Sequence, residues 1–201
     1  MSGSDTKTTK GDQRRGALLQ SLDEHLQESS FESINIADIS RRAGVTRSAF
    51  YFYFESKAAA VAALVATLYD EMAGVSEHLR SSTSTPEQRI DAFVTELFDV
   101  TERHRHLFVA MLEARGTSEA VREMWDADRV SFVEPLADMI TAERDAGSAP
   151  TGPDPGALAT MLLELNDRAL ERLVRGDSLT RDALAEAVSA IWLRTIYGEV
   201  R

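Results

Sequence analysis

The chain has 201 residues, 43% of them hydrophobic, enough for one compact chain with a real core and two subdomains. Cysteine is absent, which excludes a disulfide scaffold and cysteine-based metal or redox chemistry. Residues 1–57 hold eight basic and eight acidic side chains, so the whole net charge of −11 lies in residues 58–201 and a neutral N-terminal segment sits on an acidic body.

From the N-terminus, residues 1–12 are Ser, Thr, Lys and Gly with no hydrophobic segment, and read as a tail rather than a secretory signal. Leu18, Leu22 and Leu26, with Leu19 beside them, form a stripe at spacing four that predicts a first helix ending near Ser29. Phe31 and Ile34 pin the connection that follows. Ile36, Ile39 and Ala43 then share one helical face, with Asp38, Arg41 and Arg42 on the other, and Gly44 supplies a left-handed stop. After Val45, Thr46 caps a second short helix whose first exposed residues are Arg47 and Ser48. Two short helices around one glycine make a helix-turn-helix, a DNA reader that places its second helix in the major groove.

Downstream, Ser56 caps an apolar stripe of Val61, Leu64, Val65, Leu68, Met72, Val75 and Leu79, expected as one long helix joining head to body. A Ser-Ser-Thr-Ser-Thr linker at 81–85 leads to Pro86, which opens a helix burying Ile90, Phe93, Val94, Leu97 and Phe98. A short helix is expected from about His104 to Ala110, then a long one from Ser118 to Ala146 kinked at Pro135. Pro153-Asp-Pro155 opens a helix that Gly176 closes, and Thr180 caps the last, ending at Gly198. The expected class is all-α: a three-helix reading head over residues 13–57 and a helical bundle over 58–201, with about nine helices in all. Apolar residues on two sides of the last two helices, including Met161, Leu163, Leu170, Val188 and Ile191, predict a homodimer built through them.

Gly44-Val-Thr-Arg-Ser-Ala-Phe-Tyr-Phe-Tyr-Phe-Glu-Ser-Lys57 resembles the N-terminal signature of the TetR family of bacterial ligand-responsive transcription regulators. Ser40 stands where that family usually has alanine, but is small enough to keep the two helices close. The segments Ile140–Gly147, Leu165–Arg168 and Ile191–Glu199 are similar to its ethionamide-resistance regulator branch. Thr46, Arg47 and Ser48 are the expected base readers, since an arginine fork takes both acceptors of a guanine edge. The resemblance implies that Tyr51, Tyr53 and Lys57 hold the DNA backbone, whereas Phe50 and Phe54, four apart on one face, read as core.

In the body, Phe93, Trp125, Phe132, Met139 and Trp192, with the amide of Asn166, would supply a soft apolar lining, although each aromatic or methionine alone reads as ordinary core and it is the resemblance that makes them the expected effector site. The resemblance implies a long hydrophobic channel there, and Leu163 stands where the branch has a second amide, pointing to a more apolar effector. The four histidines, with His104 and His106 read as solvated, form no metal-ligand set, and no phosphate loop, nucleophile elbow or metalloprotease motif occurs. A helical enzyme or a non-specific nucleoid protein is therefore the weaker reading; the latter favours a basic chain. No cofactor or catalytic residue is expected, and no apolar run approaches the roughly 20 residues of a membrane span. The partners expected are operator DNA, a hydrophobic small molecule and a second copy, in the cytoplasm.

Overall fold

A computed structural model describes residues 10–68, 71, 74, 75, 77–80, 84–176 and 178–198, and no strand occurs among them. Helix α1 (Lys10–Glu28) buries Leu18, Leu19, Leu22 and Leu26. Helices α2 (Ile36–Arg42) and α3 (Arg47–Tyr53) follow it, each opened by a side-chain cap: Asn35 accepts from the Asp38 amide and Thr46 from the Ala49 amide. Between them Gly44 adopts φ 67°, the left-handed conformation that lets the chain turn from one helix to the next. Ser40 is buried and donates to the Ile36 carbonyl at 2.8 Å, so the hydroxyl is satisfied inside its own helix where α1 and α2 pack.

The expected long connecting helix is shorter in the structure. Helix α4 (Lys57–Val65) starts at the Ser56 cap and passes into a 3-10 turn at Ala66–Leu68. The Thr67 hydroxyl donates to the Leu64 carbonyl at 2.6 Å, a back-bond that competes with regular helix continuation. Val75 is buried further on, while Met72 and residues 81–83 lie outside the described residues.

The body continues with α5 (Pro86–Arg103), which opens on a reciprocal capping box between Thr85 and Gln88. Helix α6 (Arg105–Thr117) runs through Gly116, beyond the expected end at Ala110, and stops only at Ser118. The expected single helix over 118–146 is two, α7 (Glu119–Ser131) and α8 (Val133–Asp145), parted at Phe132. Pro135 explains the position of the break, because it has no N–H to give the Ser131 carbonyl one turn back. Helices α9 (Pro155–Arg175) and α10 (Arg181–Tyr197) complete the chain, with Asp154, Gly176, Thr180 and Gly198 at their ends. Ten α-helices have both ends among the described residues, and Glu71, Gly74, Val75 and Glu77 are helical as well.

Two hydrophobic cores organise these helices. The first joins Leu18, Leu22, Ile39, Phe50 and Phe54 of the head to Val61 and Leu64 of α4 and to Leu107, Phe108, Met111 and Ala114 of α6. The second gathers Ile90, Val94 and Phe98 of α5 with Ile140, Leu162, Leu173, Val188, Trp192 and Ile196. The head thus shares its core with α6, a helix of the body. Beyond its two chain neighbours, no atom lies within 4 Å of where a Cβ on Gly44 would sit. The cost of Gly44→Ala is therefore backbone strain alone, an expected loss of about 1–2 kcal/mol in urea unfolding.

Candidate DNA-reading face and effector cavity

On α3 the buried side is Phe50, and Arg47, Ser48, Tyr51 and Phe52 are exposed. At 100° per residue these four span one continuous face, built of two rows at spacing four: Arg47 with Tyr51, and Ser48 with Phe52. The Arg47 guanidinium donates to the Tyr51 hydroxyl at 3.3 Å and lies 5.7 Å from that ring's centroid, so the tyrosine props the arginine forward. Thr46 accepts from the Ala49 amide at 3.2 Å and keeps its hydroxyl proton to donate. Phe50 is fully buried and stacks on Phe54 at 5.5 Å, as its spacing predicted.

Tyr53 is half-buried against the head core and meets Phe52 edge-on at 5.0 Å. Lys57 is turned inward. Its ammonium donates to the Ile34 carbonyl at 2.6 Å and to the Phe31 carbonyl, lies 4.3 Å from the Phe31 ring centroid, and burial lowers its pKa below the ordinary lysine value. Arg41 pairs with Asp38 and Arg42 with Glu28, so both bases of α2 are engaged within the head. Phe52 is 80% exposed, although an aromatic between two core phenylalanines reads as core from the sequence.

In the body an apolar cavity of about 140 Å³ is lined by Val65, Leu68, Phe93, Phe108, Trp125 and Phe132, with Asn166 and Asp167 among its polar wall. A smaller one of about 40 Å³ adjoins it, with Phe93, Phe132 and Leu163 common to both, and holds Met139 and Trp192. The six residues expected to line an effector site thus divide: Phe93 and Phe132 face both spaces, Trp125 and Asn166 the larger, Met139 and Trp192 the smaller. Asn166 is 3% exposed, and its carbonyl oxygen accepts from the Trp192 indole N–H at 3.1 Å. The amide's Nδ2 is buried with no hydrogen-bond partner among the described residues, so a residue of the cavity lining keeps an unused donor.

Asp167 also lines the larger cavity. Its carboxylate accepts from Arg129 at 3.1 Å and from the Trp125 indole at 3.3 Å, and Arg115 lies 5.4 Å from the Trp125 ring. Burial raises its pKa, and the bonds from Trp125 and Arg129 oppose that rise only in part. The histidines also differ from expectation: both are half-buried, with His106 2.7 Å from Asp23 of α1 and His104 3.0 Å from Glu71, so they tie α6 to the head and its connector. Among the described residues no group of three metal-ligating side chains lies together, and no single helix is long and apolar enough to cross a membrane.

A helix-turn-helix head carried on a helical body with an internal apolar cavity defines a ligand-responsive, DNA-binding transcription regulator. Residues 18–64 match the family model for bacterial regulatory proteins of the tetR family, and residues 90–198 the model for the C-terminal domain of transcriptional regulator EthR. The chain therefore belongs to the TetR family, with an EthR-type C-terminal domain. It is 29% identical to the HTH-type transcriptional regulator EthR of Mycobacterium tuberculosis over 99% of this chain and 94% of that one. Against the EthR of Mycolicibacterium smegmatis it is also 29% identical, over 94% and 88%. Among solved structures, the Bacillus subtilis regulator FadR in complex with stearoyl-CoA superposes with a TM-score of 0.70 at 16% identity, covering 92% of this chain and 99% of that one. The Thermus thermophilus repressor FadR in complex with lauroyl-CoA gives 0.68 at 18%, covering 93% and 95%.

A raised Asp167 pKa means that the folded protein holds this proton more tightly than the unfolded chain does. Its stability contribution is then greatest below the ordinary carboxylate value and declines as pH rises through the folded value. Relative to Asp167→Asn, the parent protein is expected to gain stability between about pH 7 and pH 4, read by denaturant midpoints at each pH.

Proposed function

We propose that this protein is a cytoplasmic homodimeric repressor, released from its operator by an apolar small molecule carrying a hydrogen-bond acceptor. The observation that carries the reading is the position of the larger cavity between the two cores. Val65, Leu68 and Phe108 on one wall belong to the core of the head, and Phe93, Leu97 and Leu170 on the other to that of the body. Ligand pockets usually enclose about 300–1,000 Å³. At about 140 Å³ this cavity is smaller, so an effector of ordinary size must part its walls to enter. Moving α4 and α6 moves the head packed on them, which changes the spacing of two heads that must meet successive major grooves about 34 Å apart.

The neighbouring wall chemistry supports the effector class. The lining is overwhelmingly apolar, Leu163 removes one polar group, and the Asn166 amide offers one donor to a ligand oxygen. The two FadR neighbours carry acyl-CoA molecules, which is consistent with a chain-like apolar occupant here. For the dimer, Met161 of α9 is 62% exposed and Ile191 of α10 44%, an outward apolar pair on the helices proposed to form a four-helix interface. On DNA, Thr46, Arg47 and Ser48 read bases, Tyr51 and Tyr53 hold the backbone, and Lys57 braces that edge through the 31–34 turn.

Fluorescence anisotropy against the duplex upstream of the protein's own coding region, with a scrambled duplex as control, tests this function. A preference of about a thousandfold that persists across a salt series supports a specific regulator. Arg47→Ala is expected to lose about 1–3 kcal/mol of that preference with little change in binding to the scrambled duplex. Equal, steeply salt-sensitive binding of the parent protein to both duplexes contradicts the proposal.

A further inference from the structure

The reading face of α3 contains one residue that packing does not explain. Phe52 is 80% exposed, its side chain lies in line with Ser48 one turn earlier, and it sits on the same face as Arg47 and Tyr51. An apolar ring left in water on the surface that approaches DNA forgoes the burial that Phe50 and Phe54, two residues away on either side, obtain in full. Tyr53 packs against its edge at 5.0 Å and limits the ring's freedom, so it is held outward rather than folded back on the head.

We propose that Phe52 is a specificity-determining residue of the head, reading the 5-methyl group of a thymine in each operator half-site. The inference rests on the DNA-binding function argued above. The major groove offers an apolar feature at one base only, the thymine methyl, and a phenyl ring is a suitable partner for it. Tyr51, alongside, accepts from Arg47 at its hydroxyl oxygen and keeps the hydroxyl proton for the backbone, so the two rows of the face divide the work. The Arg47 row addresses guanine acceptors, and the Ser48–Phe52 row addresses the hydroxyl-accessible edge and the methyl of the adjoining pairs. Arg47 and Phe52 are five residues apart, about 7.5 Å along the helix axis, which places the thymine about two or three base pairs from the guanine.

The test uses the full-length protein and a bound operator fragment recovered by selection from genomic DNA with the parent protein. Each thymine of that duplex is replaced singly by deoxyuridine, which removes the 5-methyl and leaves base pairing unchanged, and affinity is read by anisotropy. The expected result is a loss of about fourfold, the worth of one buried methyl, at one symmetric thymine position per half-site. In Phe52→Ala the thymine duplex is bound more weakly and the thymine-to-uracil difference at that position disappears, while Phe52→Leu retains part of it. Because the side chain is exposed, neither variant should shift the unfolding midpoint, which is measured alongside.

A Phe52→Ala protein that keeps both the affinity and the uracil sensitivity of the parent overturns the assignment. So does a variant whose oligomeric state changes on gel filtration while uracil sensitivity is unaltered, which would make the ring a protein contact. Failure of the parent protein to prefer any selected fragment over a scrambled duplex would instead remove the regulator function itself, and is distinguished by that control.

Discussion

Everything in this molecule depends on the seam between its two hydrophobic cores. The head is too small to bury its own apolar residues alone, so its core runs on through α1 and α4 into Leu107, Phe108 and Met111 from a helix of the body. Packed interiors transmit displacement rather than absorb it. A head that shares a core with α6 therefore follows any movement of α6, and the larger cavity lies where such a movement would begin. His106 against Asp23 adds a polar tie across the same junction.

The charge of the chain has the same division of labour. The acidic body repels DNA except where the head is presented, and the head is neutral because its bases are balanced by its own carboxylates. Arg42 is held by Glu28, Arg41 by Asp38, and Lys57 by backbone carbonyls. The exposed face of α3, where Arg47 projects beside Tyr51, is thereby left as the proposed place of recognition. A head of this kind gains less from non-specific phosphate attraction, so base contacts carry a larger share of its discrimination.

The local signals in the sequence were legible wherever a single residue type decides the backbone. Gly44 and Gly176 mark left-handed turns, and Thr46, Ser56, Asp154 and Thr180 sit at helix starts because their side chains satisfy amides that a helix leaves open. Phe50 and Phe54 were legible as core by spacing. What escaped was set either by a single local backbone bond or by contacts distant in the chain. The helix after Ser56 ends at Val65 although its apolar stripe continues, Pro135 breaks the backbone three residues ahead of itself, and Asp167 is drawn to the cavity by Trp125 and Arg129 some forty residues earlier. Phe52 was illegible for the opposite reason: apolar character says bury, and only the geometry of the face shows that it is not buried. The division of Trp125 and Asn166 from Met139 and Trp192 between two spaces likewise follows from where α7 and α8 part at Phe132.

Movement of the head on occupation of the seam can be tested without knowing the effector. Leu163 lines both cavities, and Leu163→Trp places a larger ring into that space. Operator affinity of this variant, measured by anisotropy together with its unfolding midpoint, is the most direct measurement. Affinity is expected to fall by about tenfold or more while the protein remains folded, because filling the cavity substitutes for the ligand. A folded variant that binds the operator as tightly as the parent would contradict that movement.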